Sequence, residues 1–367
     1  MNTRSLVSLA AVALAGLGFV ALAADAPAVP KTTRTVVLEK TDTGYRWKTV
    51  EKAIHAPGPR QVLMRVRAVS LNRGDIEMLA PSTGTDFSGL VAASDAAGEI
   101  IAVGSEVTGF KPGELVSTLY FRNWVDGPMS GETLKGAHGA STNGVLSEYL
   151  VIDDTGIAPA PAGLTDEEVS ALPTAGLTAW TAVTADGPVG PDDFVVVQGA
   201  GGVSTFALQF AAASGAKVIV TSSSDEKLAR AKELGAQEGI NYKTTPAWSK
   251  RVLELTGGHG ADLIVDVGGK NTLQMSAQCL AYYGTLSVVG GLSGYDGEIP
   301  ADDLIMKRAR AQGIYVGSRG DYLEMSQFIA AHKLKPAIER VFPFEQYEEA
   351  LKLMEAGSFV GKIVLKF

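Results

Sequence analysis

The chain is poor in the residues that cross-link a fold or hold a metal. Of its 367 residues, 1 is cysteine and 4 are histidine. Cys279 alone cannot close an internal disulfide, and no cysteine cluster exists for zinc. It sits in an apolar run, where a free thiol behaves as a small hydrophobe. His55, His138, His259 and His332 form no i, i+4 pair. There is no basic tract and the net charge is −8, so nothing points to nucleic acid. Hydrophobic residues make up 46% and charged residues 20%, which suits a globular protein with a large core. The length suggests two domains.

One long hydrophobic stretch stands apart, Leu6 to Ala23 behind a single Arg4. It ends in Ala21-Leu22-Ala23, an A-x-A cleavage site, before the Pro-containing Ala24-Asp25-Ala26-Pro27. This reads as a secretory signal peptide over residues 1–23, with an exported, periplasmic mature chain. An uncleaved membrane anchor is one alternative, since about 18 apolar residues can span a bilayer. A buried helix of the fold is another, and an unused leader leaves the protein cytoplasmic.

The most informative stretch lies mid-chain. Phe194-Val195-Val196-Val197-Gln198 is an apolar, β-branched run and reads as a buried strand. Gly199-Ala200-Gly201-Gly202-Val203-Ser204 follows, then an apolar helix pattern from Val203 to Ala213, then the strand Lys217–Thr221. That is a strand–loop–helix–strand unit with a dinucleotide fingerprint. Its glycines let the backbone turn and approach a pyrophosphate, which would rest on the helix N-terminus. The third fingerprint position is Ser204 rather than glycine. The alternative is an ordinary strand-to-helix turn with no ligand.

An NAD site usually carries Asp or Glu at the end of the second strand, on the ribose 2′-hydroxyl. Here that end is Ser222-Ser223-Ser224, with Lys227 one helical turn on. Small hydroxyls and a cation suit a 2′-phosphate, so the expectation is NADP(H) over NAD(H). Asp225 and Glu226 argue the other way, and Ser224 also reads as a helix N-cap.

Residues 33–158 carry short strands divided by turns, among them Thr35–Leu38 and Tyr45–Trp47 about Thr41-Asp42-Thr43-Gly44, Val62–Val69, Ala97–Gly104, Val116–Leu119 and Val145–Ile152. Many short strands suggest a small barrel-like β domain. Phe121 to Asn143 reads as a long loop. From Leu164 the period becomes helical, opening on the capping box Thr165-Asp166-Glu167-Glu168, with a further helix over Thr174–Ala185. Beyond the glycine loop, helices at 225–234, 248–255 and 273–282 alternate with strands at 263–267, 285–289 and 314–316, the pattern of an α/β, doubly wound parallel sheet. Helices at 322–332 and 344–356 and a strand at 363–367 close the chain.

Several distant motifs, in order, resemble the medium-chain dehydrogenase/reductase superfamily over about residues 33–367. They are Ser70-Leu71-Asn72-Arg73-Gly74-Asp75, Ala97-Gly98-Glu99-Ile100 with Val107 to Glu114, Leu172 to Trp180, the glycine loop, and Phe359-Val360-Gly361-Lys362-Ile363-Val364. Within that superfamily the chain is similar to the quinone oxidoreductase and enoyl reductase branches. The resemblance implies a GroES-like substrate domain, 33–158 with 319–367, and a Rossmann nucleotide-binding domain, 159–318. Zinc-dependent members carry a cysteine, a His-Glu pair and a second cysteine in these motifs. Here those positions are Asn72, Ser94-Asp95 and Thr174, and only Asp95 ligates zinc well. No metal is expected.

Without metal, an acceptor oxygen that receives hydride's charge needs side-chain donors. Asn72 is an amide donor at the head of its motif. Arg73 stands where related reductases often have Tyr; a guanidinium binds a carboxylate or enolate but does not give up a proton. Asp75 either orients Arg73 or caps a turn. Tyr120, with Phe121 and Trp124, either lines a cleft wall or packs the core. The resemblance also implies Thr178 at the nicotinamide end of a bound dinucleotide, Tyr242 at the adenosine-phosphate end, and Gly268, Gly290, Gly291 and Lys362 at its rim.

The expected activity is zinc-independent, NAD(P)H-dependent reduction of a small electrophile: a quinone, an enone or an aldehyde. Alternatives are a low-turnover NADPH-binding sensor or structural protein, an alcohol dehydrogenase, and a membrane-anchored interaction module if the leader stays attached. A homodimer is expected through a sheet edge near Ile314-Tyr315-Val316.

Overall fold

The computed structural model describes residues 29–82 and 84–367. The segment 1–23, expected to be a signal peptide, lies outside them. No helix of the described residues is long and apolar enough to cross a membrane.

The glycine-loop unit builds the sheet its alternation predicts. Six parallel strands form one layer: Glu238–Asn241, Lys217–Ser222, Phe194–Gln198, Ala261–Asp266, Leu280–Val288 and Arg310–Gly313, in that spatial order. Numbered along the chain, the order is the 3-2-1-4-5-6 of a dinucleotide fold. Its core is aliphatic and aromatic, with Val195, Val197, Phe206, Phe210, Val218 and Val265 buried. Val196, Ile219, Ile264 and Leu286 serve the opposite face.

A second, seven-stranded sheet runs Ile338–Pro343, Lys362–Lys366, Gln61–Ser70, Asp95–Val103, Leu115–Thr118 and Ile157–Pro159, with Tyr149–Asp153 also paired to Gln61–Ser70. The last strand of the chain thus pairs with one of the first. A two-stranded ribbon, Thr32–Thr41 with Gly44–Ala53, joins Val36, Leu38, Tyr45 and Trp47 to the core of this layer. Helix Asp166–Ser170 packs on this sheet, whereas Arg319–His332 packs on helix Leu177–Val183 of the nucleotide-fold side.

Two element assignments need correction. The outermost parallel strand is Arg310–Gly313, not Ile314–Val316. Val316 has φ 55°, a conformation a β-branched residue rarely adopts, and the Tyr315 ring turns to Phe121 at 5.2 Å. The apolar run at 273–282 is not one helix. It stops at Gln278, and Leu280 already pairs with Ala261 as a strand. Buried Leu280 and Ala281, followed by exposed Tyr282 and Tyr283, match a sheet face that ends in a bulge. Strands Glu238–Asn241 and Ile338–Pro343 and helix Ala301–Lys307 have too little periodicity to be read beforehand.

Candidate active site

The strand registers explain why distant residues meet. In the second sheet Val364 lies opposite Ser70, and Ser70 opposite Asp95. Continuing each ladder past its end places Lys362 beside Asn72, and Leu71 beside Ser94, one residue from Asn72. A π-helical turn, Leu172–Gly176, brings Thr174 in from the other side. Such turns often mark functional sites.

Five side chains, Lys362, Asn72, Ser94, Asp95 and Thr174, form one largely buried polar cluster. Lys362 Nζ donates to Leu71 O at 2.6 Å and Asn72 Oδ1 at 2.5 Å. Asn72 Nδ2 donates to Ser94 Oγ at 3.3 Å, and Ser94 Oγ donates to Asp95 Oδ1 at 2.6 Å. Thr174 gives its hydroxyl to Asp95 Oδ1 at 2.5 Å and its N–H to Oδ2 at 3.0 Å. Burial lowers the Lys362 pKa, while Asp95 and Asp75 oppose that shift. Lys362, which the resemblance implies at the rim of a cofactor site, forms one end of the cluster and is 2% exposed.

These residues do not fit zinc. A tetrahedral ion needs four N, S or O donors at about 2.0–2.3 Å. Both Asp95 oxygens already accept hydrogen bonds, the Asn72 oxygen faces an ammonium, and Thr174 and Ser94 are neutral hydroxyls. Among the described residues no group of three or more His, Cys, Asp or Glu could hold a metal ion.

Asp75 resolves in favour of the cap. Its carboxylate accepts from the Asn72 N–H at 2.7 Å at the start of the short helix Arg73–Glu77. Burial raises its pKa to about 7. Arg73 is oriented by Glu77 instead, with Nε and Oε1 3.5 Å apart and both side chains about half exposed, at 53% and 51%.

A cleft of about 500 Å³ joins this cluster to the glycine loop. It is lined by Asn72, Arg73, Gly199, Ala200, Gly201, Gly202, Val203, Ser222, Ser223, Lys227, Tyr242, Gly290, Gly291 and Lys362, all expected from sequence. It lies outside the carboxyl end of the first parallel strand, at the topological switch point. Gly199 has φ 78°, which lets the chain leave the strand. Gly201 caps helix Gly202–Ala213 without a side chain, so no side-chain oxygen satisfies the first-turn N–H groups. Ser204 is buried and donates to Gln198 O at 2.7 Å. The serine thus stitches the helix to the strand where the fingerprint has glycine.

The loop and residues around it fit a dinucleotide. Ser222 and Ser223 line the cleft, while Asp225 faces away to the Asn241 amide at 2.9 Å. Lys227 Nζ reaches Gly357 O at 2.6 Å, at the end of helix Tyr347–Ala356. Ser224 is the N-cap of helix Asp225–Glu233, accepting from Lys227 N, and is not among the lining residues.

Four other expected residues, Asp75 among them, also lie off the lining. Thr178 is buried in helix Leu177–Val183. Gly268 gives its N–H to Asp266 Oδ1 at 2.9 Å. Tyr120 packs edge-on to Phe121 at 4.6 Å, and burial raises its phenol pKa, so it stays protonated.

The sequence reading missed Glu77, Leu292, Tyr295, Met354, Phe359 and Gly361, which line the cleft too. Phe359 and Gly361 belong to the Phe359–Val364 motif. The Gly361 N–H donates to Ala200 O at 2.8 Å, and its φ of 85° turns the chain so that Lys362 faces inward. Asp266, fully buried, collects the Gln198 amide, two loop N–H groups and the hydroxyls of Thr272 and Ser276 to hold the neighbouring loop.

Comparison with known proteins agrees with this architecture. Residues 58–162 match the alcohol dehydrogenase GroES-like domain, and residues 202–331 match the zinc-binding dehydrogenase domain. A zinc-type alcohol dehydrogenase-like protein of Schizosaccharomyces pombe is 39% identical over 316 residues, 84% of this chain and 91% of the relative. A quinone oxidoreductase of Pseudomonas aeruginosa is 36% identical over 65% of this chain and 67% of its own. The crystal structure of a putative alcohol dehydrogenase from Sinorhizobium meliloti 1021 superposes with a TM-score of 0.87, at 39% identity over 93% of this chain and 100% of that one. The chain belongs to the medium-chain dehydrogenase/reductase superfamily of NAD(P)-dependent oxidoreductases.

Proposed function

We propose that the protein is a zinc-independent reductase that uses NADPH to reduce an activated C=C or C=O in a quinone, an enone or an aldehyde. The observation that carries this is the Asn72–Lys362–Ser94–Asp95 cluster, which takes the place of a metal donor set at the end of a dinucleotide-sized cleft. The bound dinucleotide would supply hydride. The first-turn N–H groups behind Gly201 would hold its pyrophosphate. Ser222, Ser223 and Lys227 would take the 2′-phosphate, a reading supported by the absence of an acidic side chain from that end of the cleft.

The chain's own residues then have defined tasks. Asn72 donates an N–H to the oxygen that gains charge, and the buried Lys362 ammonium adds a positive field in a setting where water screens it little. Arg73 keeps its charge throughout and supplies field, not a proton. The half-exposed Arg73–Glu77 pair and the exposed Tyr295 border the entrance.

The test is fluorescence titration of the purified mature protein with NADPH and NADH, then turnover with one quinone, one enone and one aldehyde. NADPH binding with oxidation of the coenzyme is expected. Binding of neither nucleotide overturns the proposal. Tight binding without turnover would identify a nucleotide sensor instead. Export through the 1–23 leader and pairing of two copies through the parallel-sheet edge belong to the same proposal.

A further inference from the structure

Among the described residues Lys362 is the only lysine or arginine that is fully buried. A buried ammonium is costly unless its protons are matched. Two are, by Leu71 O and Asn72 Oδ1. An ammonium has three donors and no acceptor. The Asn72 atom facing it at 2.5 Å is therefore the amide oxygen, and the carboxamide has one orientation. Its nitrogen must then face Ser94 Oγ, at 3.3 Å. Ser94 in turn points its proton at Asp95 Oδ1, at 2.6 Å. The bonds run Lys362 to Asn72 to Ser94 to Asp95, all donors in one direction. A fixed cation stands at one end and a carboxylate at the other, so no link can reverse without leaving a buried charge unmatched.

We propose that Lys362 and Ser94 are positioning residues for reduction: they lock the Asn72 carboxamide with its oxygen inward, so that its second N–H is presented to the substrate oxygen. This rests on the reductase reading above. An unanchored amide could turn its oxygen to the substrate, which would repel the developing charge instead of stabilising it.

A pH dependence follows. The charged groups facing Lys362 are Asp95, at the start of the strand beyond Gln61–Ser70, and Asp75 in the short helix. If Lys362 loses its proton, its amine can accept as well as donate, and the amide is no longer fixed. Turnover should therefore fall on the alkaline side, below the ordinary lysine pKa of about 10.4.

Two variants test the lock. Ser94→Ala removes one hydroxyl outside the cleft lining, and Asp95 keeps both bonds from Thr174. It should lower kcat roughly tenfold, the effect of one well-placed hydrogen bond, with NADPH affinity within about twofold of wild type. Lys362→Arg keeps a donor-only cation that does not titrate, so kcat should stay flat where wild type falls. Unchanged kcat in Ser94→Ala, with coenzyme bound normally, overturns the lock. So does an alkaline fall that persists in Lys362→Arg. If the arginine variant does not fold, the serine variant decides alone. A wild-type protein that binds no NADPH would instead bring down the reductase reading itself.

Discussion

Adjacent glycines in the loop should respond to the same added methyl in opposite ways. At Gly201 a Cβ would meet nothing within 4 Å, and the backbone is extended with φ −75°. Ala there should leave the free protein's stability within about 0.5 kcal/mol of wild type. The open space in front of it is where a pyrophosphate would have to approach. A methyl there should cost 1–3 kcal/mol of overpacking, or about 5- to 150-fold in coenzyme affinity. At Gly202 a Cβ would come 2.5 Å from Lys362 Cδ and 3.1 Å from Ala175 Cβ. The lysine cannot swing aside cheaply, since its Nζ is held at 2.5 and 2.6 Å. Ala at that helix-start position gains at most about 1 kcal/mol of helix propensity. Against this stand overpacking at about 1–3 kcal/mol and a strained hydrogen bond to a charged group at about 1.5–3 kcal/mol. Gly202→Ala should therefore destabilise the free protein by about 1.5–5 kcal/mol. Chemical denaturation without nucleotide, followed by NADPH titration, separates the two effects. If Gly201→Ala binds NADPH as wild type does, the backbone does not approach the phosphates and the site assignment is refuted.

Four further outcomes are expected. Ser222→Asp places a carboxylate at the end of strand Lys217–Ser222 and should weaken NADPH binding more than tenfold while sparing NADH, about 1.4 kcal/mol of preference or more; equal loss for both nucleotides would count against the 2′-phosphate subsite. Asp75, with its pKa raised to about 7, should contribute stability that is complete below about pH 4 and lost as pH rises through 7, up to roughly 4 kcal/mol; denaturation midpoints between pH 4 and 8 should show that slope in wild type and lose it in Asp75→Asn. Light scattering should give a dimer mass, and Ala311→Lys, a charge on the exposed edge strand Arg310–Gly313, should give half that mass; a monomeric wild type ends that proposal. N-terminal sequencing of the periplasmic fraction should start at Ala24, and an intact Met1 in the cytoplasm would show the leader unused.

The local code was strong where one periodicity dominated. Val195–Val197, with glycines after and a small-residue helix beyond, is consistent with only one element order, and the six-stranded layer follows from repeating it. Capping signals at Thr165 and Ser224 marked helix starts because one side-chain oxygen accepts from one N–H three residues on. The reading failed where tertiary contacts outweighed a local preference. Ile314–Val316 is β-branched and aromatic, yet Tyr315 is claimed by the Phe121 cluster and the strand ends at Gly313. Leu273–Tyr282 is apolar throughout, yet Ala261 pairs with Leu280 and pulls the second half into a sheet.

The sequence by itself determined the two layers, the nucleotide loop, the absence of a cysteine zinc set, and the identities of Asn72, Asp95, Thr174 and Lys362. Those depend on residue type and on spacing within about 20 positions, which a chain displays before it folds. How those residues are used depends on the packed sheets. Lys362 and Asn72 are 290 positions apart, and they meet because the final strand lies antiparallel to Gln61–Ser70 in one register out of several. A shift of one residue would turn the lysine to the opposite face of the sheet. The roles of cap for Asp75, stitch for Ser204 and buried terminal donor for Lys362 follow from that register and from burial. Both are set by the packing of whole layers, which no short stretch of chain encodes.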